Sequence, residues 1–234
     1  METTFEHLDR RSKLVFVALG LTIAIDLVAI WADLREMRLM DRMIVGDAPS
    51  PGELDASDNR QAVVGVLELA VLVAAAVVFL RWFSRAYKNL PGLGASDLRF
   101  TFGWAIGAWF VPILNIWRPK QIANDIWRAS DPAAAPDQGV TWRTKAVPWL
   151  LTVWWILWIA STYVGNQGLR SAFSSNTPQD VQSGDYVDVA SVVLDIGAAA
   201  LAIAVVSTIT RRQEARVRVL AALTPVVGVQ PGTF

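Results

Sequence analysis

Three carboxylates stand inside long apolar runs: Asp26, Glu68 and Asp195. An ionised carboxylate facing lipid costs roughly 2.5–3.5 kcal/mol at the centre of a spanning helix. Such groups turn inward, toward other helices or a hydrated cavity. There they can bridge helices as neutral acids, carry protons or monovalent cations, or supply oxygen ligands to Mg²⁺ or Ca²⁺. No Lys, Arg or His lies in those runs as a counter-ion. The absence of cysteine excludes thiol catalysis, disulfides, iron–sulfur clusters and cysteine-containing zinc sites. The single histidine, His7, sits near the N-terminus, which excludes a Ser-His-Asp relay or a multi-histidine metal site within the membrane, and an axial haem ligand among the eleven tryptophans. No metal or cofactor is expected. The 21 basic and 21 acidic residues cancel, and no feature points to nucleic acid.

The elements that carry these acids are apolar enough for a bilayer. The chain of 234 residues is 53% hydrophobic and 18% charged, against about 25% charged in soluble domains. Runs near 14–34, 62–80, 146–164 and 189–209 each approach the ~20 residues needed to cross the hydrocarbon. The expected class is therefore an all-α integral membrane protein with four transmembrane helices. Helical spacing puts Thr22, Asp26, Ala29 and Asp33 on one face, Gly65, Glu68, Leu72 and Ala75 on another, and Asp188, Ser191, Asp195, Ala199 and Ala202 on a third. The first helix is expected to overrun to Gly46, and Thr177-Pro178-Gln179-Asp180 reads as the start of the last. Residues 50–58 read as a polar turn, 166–186 as a polar external connector, 91–96 as a plain turn rather than a phosphate loop, and the chain after Arg218 as poorly ordered.

A fifth apolar run, residues 100–117, is interrupted by Pro112 and Asn115. If it crosses, giving five spans, Lys and Arg divide 8 to 13 between the two sides. If it re-enters or lies in the interface within a segment covering 100–130, both termini are cytoplasmic and 16 of the 21 fall inside, Arg170 being one of the few outside. The positive-inside rule favours the second arrangement. It gives a cytoplasmic tail over 1–13, a polytopic membrane domain over 14–210 and a cytoplasmic tail over 211–234. Asp26 then lies roughly 12 Å, and Glu68 and Asp195 roughly 9–10 Å, below the outer ends of their spans.

Within this region stand RWFSRAYKNL, then GWAIGAWFVPILNIWRPKQ, then DIWRAS. These motifs resemble the bacterial membrane proteins of the DUF4328 family, with a departure at Phe102, where the family carries proline. The resemblance implies a multi-pass protein of a bacterial plasma membrane and no assigned activity. Its motif core comprises Trp82, Arg85, Asn89, Gly103, Trp104, Gly107, Pro112, Asn115, Trp117, Arg118, Pro119, Trp127 and Arg128. From the residues themselves, Gly103 and Gly107 permit close backbone approach, and Asn115 can satisfy a group freed by Pro112. Pro119 can open a helix that lays Ile122, Ile126 and Trp127 along the inner membrane surface. Arg85, Lys88, Arg118, Lys120 and Arg128 form a basic patch, read either as an anchor for anionic headgroups or as a docking surface for an anionic ligand or protein.

No nucleophile–base pair is visible, so a non-enzymatic membrane scaffold or accessory subunit leads. It would have a basic, Trp-rich cytoplasmic surface, with the bilayer, anionic lipid, a protein partner or a second copy as its contacts. A proton- or cation-coupled transporter or channel subunit using Asp26, Glu68 and Asp195 is the alternative.

Overall fold

The computed structural model describes residues 5–172 and 177–223, residues 168–172 by backbone alone. Helices dominate: α1 Asp9–Ile44, α2 Pro51–Lys88, α3 Trp104–Gly107, α4 Arg118–Ala129, α5 Trp149–Ala172 and α6 Pro178–Leu223, with short 3₁₀ turns between some of them. Among the described residues there is no strand, only an isolated bridge between Ala95 and Gly139. Three helices, α1, α2 and α6, are long and apolar enough to cross a membrane. The third expected run is helical as part of α5, which is not among these three.

Local chemistry explains the helix ends. Gly46, at φ +87°, turns the chain out of α1, with Gly46 N–H donating to Met43 O and Asp47 N–H to Arg42 O. Residues 51–58 are not a turn: they form the first two turns of α2. Ser50 and Glu53 make a reciprocal capping box, Glu53 N–H donating to Ser50 Oγ (3.3 Å) and Ser50 N–H to Glu53 Oε2 (2.9 Å), and Pro51 takes the first helical position. Thr177 and Asp180 repeat the device at α6 (3.2 and 3.1 Å).

The expected connector over 166–186 is also largely helical, in the end of α5 and the start of α6. The side chain of Arg170 lies outside the described residues, as does the chain beyond Leu223. The 211–234 tail is corrected in its described part: α6 continues to Leu223, with Gln213 and Arg216 fully buried. Nor are the described N-terminal residues a free tail, since Leu8 is fully buried and α1 begins at Asp9.

The chain divides into two compact units. One combines Met1–Asp9, Phe83–Val147 and Thr208–Phe234 in their described parts; the other combines Arg10–Trp82 and Pro148–Ser207. We call them the mixed unit and the helical unit. The helical unit is held by small residues, with Ala29, Ala32 and Val64 forming a buried contact of α1 with α2. An aromatic chain through Phe79, Trp154, Trp155 and Trp158 adds to it, at centroid distances of 4.8–6.1 Å. In the mixed unit, residues 100–117 form no long helix. They contain only the single turn of α3 and a 3₁₀ turn over Leu114–Ile116.

Candidate functional site

In the helical unit, α1, α2, α5 and α6 enclose a cleft of about 630 Å³. Asp33 and Glu36 come from α1, Gln61 and Glu68 from α2, and Asp185, Asp188 and Ser191 from α6, with Ala29, Val64, Gly65, Val181 and Val192 between them. Asp33–Glu36 and Asp185–Asp188 are each three residues apart, so each pair shares a helix face. The Gln61 amide donates to Asp33 Oδ1 (3.2 Å) and to Glu36. Asp185 is 7% exposed, and its Oδ2 has no hydrogen-bond partner. Among the described residues, no Lys or Arg lines the cleft. Among the described residues, no three or more His, Asp or Glu side chains are grouped so as to hold a metal ion.

Of the three acids singled out in the sequence, Glu68 alone lines this cleft. Asp26 is buried at 5% exposure, with Oδ2 unpartnered, and Glu68 and Asp195 both lie within its electrostatic reach. Asp195 accepts a bond from Ser161 Oγ (3.3 Å), and Ser191 Oγ donates to Ser161 O (3.2 Å), tying α6 to α5. The α1 face of Thr22, Asp26, Ala29 and Asp33 is buried throughout. The face drawn for α2 needs correction, because Leu72 is 58% exposed while Val64 and Ala75 are buried. The stripe turns toward Gln61, Val64, Glu68 and Ala75. Asp33 and Asp188 were placed by spacing on the faces of Asp26 and Asp195, but Glu36 and Asp185 were missed, because each sits beyond an apolar run, where an acid reads as a solvated boundary residue. Their spacing of three from Asp33 and Asp188 was the available signal.

The mixed unit positions the family-motif core. Asn89 is fully buried. Its amide donates to Glu6 O (2.9 Å) and Gln213 Oε1 (3.1 Å), and its oxygen accepts from Glu6 N–H (3.1 Å). Gln213 in turn donates to Ala86 O and Ser130 Oγ. Arg216, also fully buried, gives its guanidinium to the carbonyls of Leu93, Ala134, Ala135 and Pro136. Gly94, at φ +83°, lies where a Cβ would collide with the Pro136 carbonyl oxygen. Asp125, fully buried on α4, is held by Arg99, with Nε to Oδ2 at 2.9 Å. Burial pushes the Asp125 carboxyl up, against the opposing hydrogen bond and charge of Arg99.

The basic patch is mostly committed within the chain. Arg85 pairs with Glu6 at 3.0 Å, Arg128 Nε donates to Lys145 O (2.8 Å), and Arg118 lies over the rings of Phe100 and Trp104 at 4.6 and 5.7 Å. Arg212 covers Trp127 at 4.1 Å. Lys120 donates to Asn124 Oδ1 (2.6 Å); burial, then nearby Arg128, lowers its pKa from the ordinary 10.5 to about 8.

Three expectations about this region are corrected. Ile122 and Ile126 are fully buried within the protein, and Pro119 is buried with them, so the apolar stripe of α4 is not laid on a membrane. Its period is the same for either partner; the unit's own core takes it. Gly103 and Gly107 mediate no close packing, since a Cβ at either would meet nothing within 4 Å. Asn115 Oδ1 is buried and unpartnered, whereas Val111 O and Pro112 O accept backbone N–H groups of Asn115 and Leu114. The bend at Pro112 is satisfied by local turns, and Ile113 beside it adopts φ +64°.

The outer side of residues 102–117 is apolar. Phe102, Ile106, Phe110, Val111, Ile113, Ile116 and Trp117 are 37–70% exposed. Inward, Ala105 and Ala108 are buried and Trp109 meets Phe83 edge-on at 5.7 Å. The hydroxyl of Tyr87 donates to Phe100 O (3.0 Å) and accepts from Phe100 N–H (3.2 Å), fixing where the segment begins. Trp82, the remaining motif residue, belongs to the helical unit and is fully buried.

A family model described as a domain of unknown function (DUF4328) matches residues 46–211. No curated protein and no solved structure matches the chain.

Proposed function

This chain belongs to the DUF4328 family, and from that premise we propose that it is a non-enzymatic scaffold or accessory subunit of the bacterial plasma membrane. It crosses four times, through α1, α2, α5 and α6, with both termini cytoplasmic. Residues 100–117 dip into the cytoplasmic leaflet and return. The observation that carries this reading is the exposed apolar run from Phe102 to Trp117, mounted on a unit whose own polar groups are largely bonded internally. A contiguous apolar surface of this kind is stable against lipid or another protein rather than water. The apolar windows of α1, α2 and α6 are only 22, 11 and 28% buried within the chain, which fits lipid around them. Arg118, held on Phe100 and Trp104, suits the headgroup level, where cations and tryptophans gather.

The chain has no cysteine, which makes the test direct. Single cysteines placed just before Phe100 and just after Arg128 are treated with a membrane-impermeant thiol reagent in oriented vesicles. Labelling of both from the same face is expected; labelling from opposite faces defeats the proposal. Phe110→Asp should also reduce quenching of tryptophan fluorescence by brominated lipid.

A second reading, proton- or cation-coupled transport, draws on the unpartnered Asp26 oxygen with Glu68 and Asp195 in electrostatic reach. Under it, Glu68→Gln abolishes a cation-dependent flux in liposomes. A wild-type protein without such flux removes it.

A further inference from the structure

We propose that the acidic cleft of the helical unit binds an extended organic polycation of the polyamine class. Five carboxylates, Asp33, Glu36, Glu68, Asp185 and Asp188, line one space of about 630 Å³, and among the described residues no cation lines it with them. That volume lies within the usual range for small-molecule sites, about 300–1,000 Å³. Asp185 is more than nine-tenths buried, lines this space and has an oxygen with no hydrogen-bond partner. A buried carboxylate oxygen left without a donor is strongly unfavourable, so the geometry calls for a donor from outside the chain.

The arrangement selects the class of donor. The acids are not grouped for a metal ion, which needs several oxygens converging on one point. They are distributed over α1, α2 and α6, with pairs one helical turn apart, a rise of about 4.5 Å. Ammonium groups joined by short methylene spacers match such a distribution. Ala29, Val64, Gly65, Val181 and Val192 supply apolar wall between the acids, against which the methylenes lie. The Gln61 amide holds Asp33 and Glu36 in place. Charge-assisted bonds from each ammonium would then replace like-charge repulsion among the acids. This inference concerns binding alone and rests neither on the scaffold reading nor on transport.

The test uses the full-length chain in nanodiscs of zwitterionic lipid, with spermidine as the calorimetric probe. Saturable binding is expected, weakened about tenfold by Asp185→Asn and by Glu36→Gln, the loss of roughly one charge-assisted bond. Thermal unfolding of ligand-free Asp185→Asn should be no lower than that of the wild type, because the substitution relieves repulsion. That separates a binding role from a purely structural one. Absence of saturable spermidine binding overturns the proposal, as does affinity unchanged in both variants. Equal displacement by Mg²⁺ at matched charge overturns the choice of class. Tighter binding of a lysine-rich peptide than of spermidine would assign the cleft to a protein partner instead.

Discussion

In the mixed unit, the guanidinium of Arg216 is fully buried and meets the carbonyls of Leu93, Ala134, Ala135 and Pro136, while buried Asp125 is held by Arg99. In the helical unit, five carboxylates face one another around a cleft, and one oxygen of Asp185 and one of Asp26 have no bond. Both regions take charge out of water, fully at Arg216 and Asp125 and in part at Glu36, Glu68 and Asp188. The first answers it with donors and acceptors from its own loops, so there charge serves folding. The second answers it only in part, through Gln61 and Ser161, and leaves oxygens of Asp26 and Asp185 available to something else. A buried ion is informative about function only once its partners have been counted.

Substitutions should separate the two regions by sign. Removing a cation from the satisfied network strands several buried carbonyls, so Arg216→Ala is expected to cost about 3–5 kcal/mol. Denaturant unfolding in detergent measures it; a loss below about 1 kcal/mol would dissolve the contrast. In the helical unit the direction should reverse. Asp188→Asn removes one member of a like-charged group and should stabilise the free protein by about 1 kcal/mol, read as a higher unfolding temperature. A lower one would mean that the acids are already satisfied.

The smallest effect concerns pH. Lys120 has a pKa of about 8 in the folded chain against an ordinary 10.5. Between those values the unfolded chain binds more protons, so stability rises with pH across that window and the penalty is fully present below it. Lys120→Met should flatten the rise when unfolding midpoints at pH 7.5 and 10 are compared. An unchanged slope would show that the ammonium stays solvated.

Much of the helical framework is readable in the sequence, since long apolar runs and caps act locally. Pro178 behind Thr177 starts a helix, and Gly46 stops one. The same residue types misled at Pro51, where proline, glycine and aspartate suggest a turn but the Ser50–Glu53 box begins α2 about three turns before the apolar run that starts at Ala62. For α4, amphipathic spacing showed that one face must be covered but not by what, and the protein's own core covers it. Least visible were the long-range sites. Arg216 falls in what reads as a charged tail, and its carbonyl partners lie about 80 or more residues away. The cleft acids come from three helices, and no local pattern records that they meet.

The crossing of residue 94 under Pro136 has an evolutionary corollary. The backbone there is both left-handed and sterically closed, so a single added methyl would have to displace the very strand of carbonyls that cradles Arg216. Drift at this codon is barred in both directions at once, by torsion and by contact. Codons 103 and 107, glycine as well, face open space and are free to wander to alanine. Among homologues, substitution should therefore be rarest at the glycine that looks most like an ordinary loop residue.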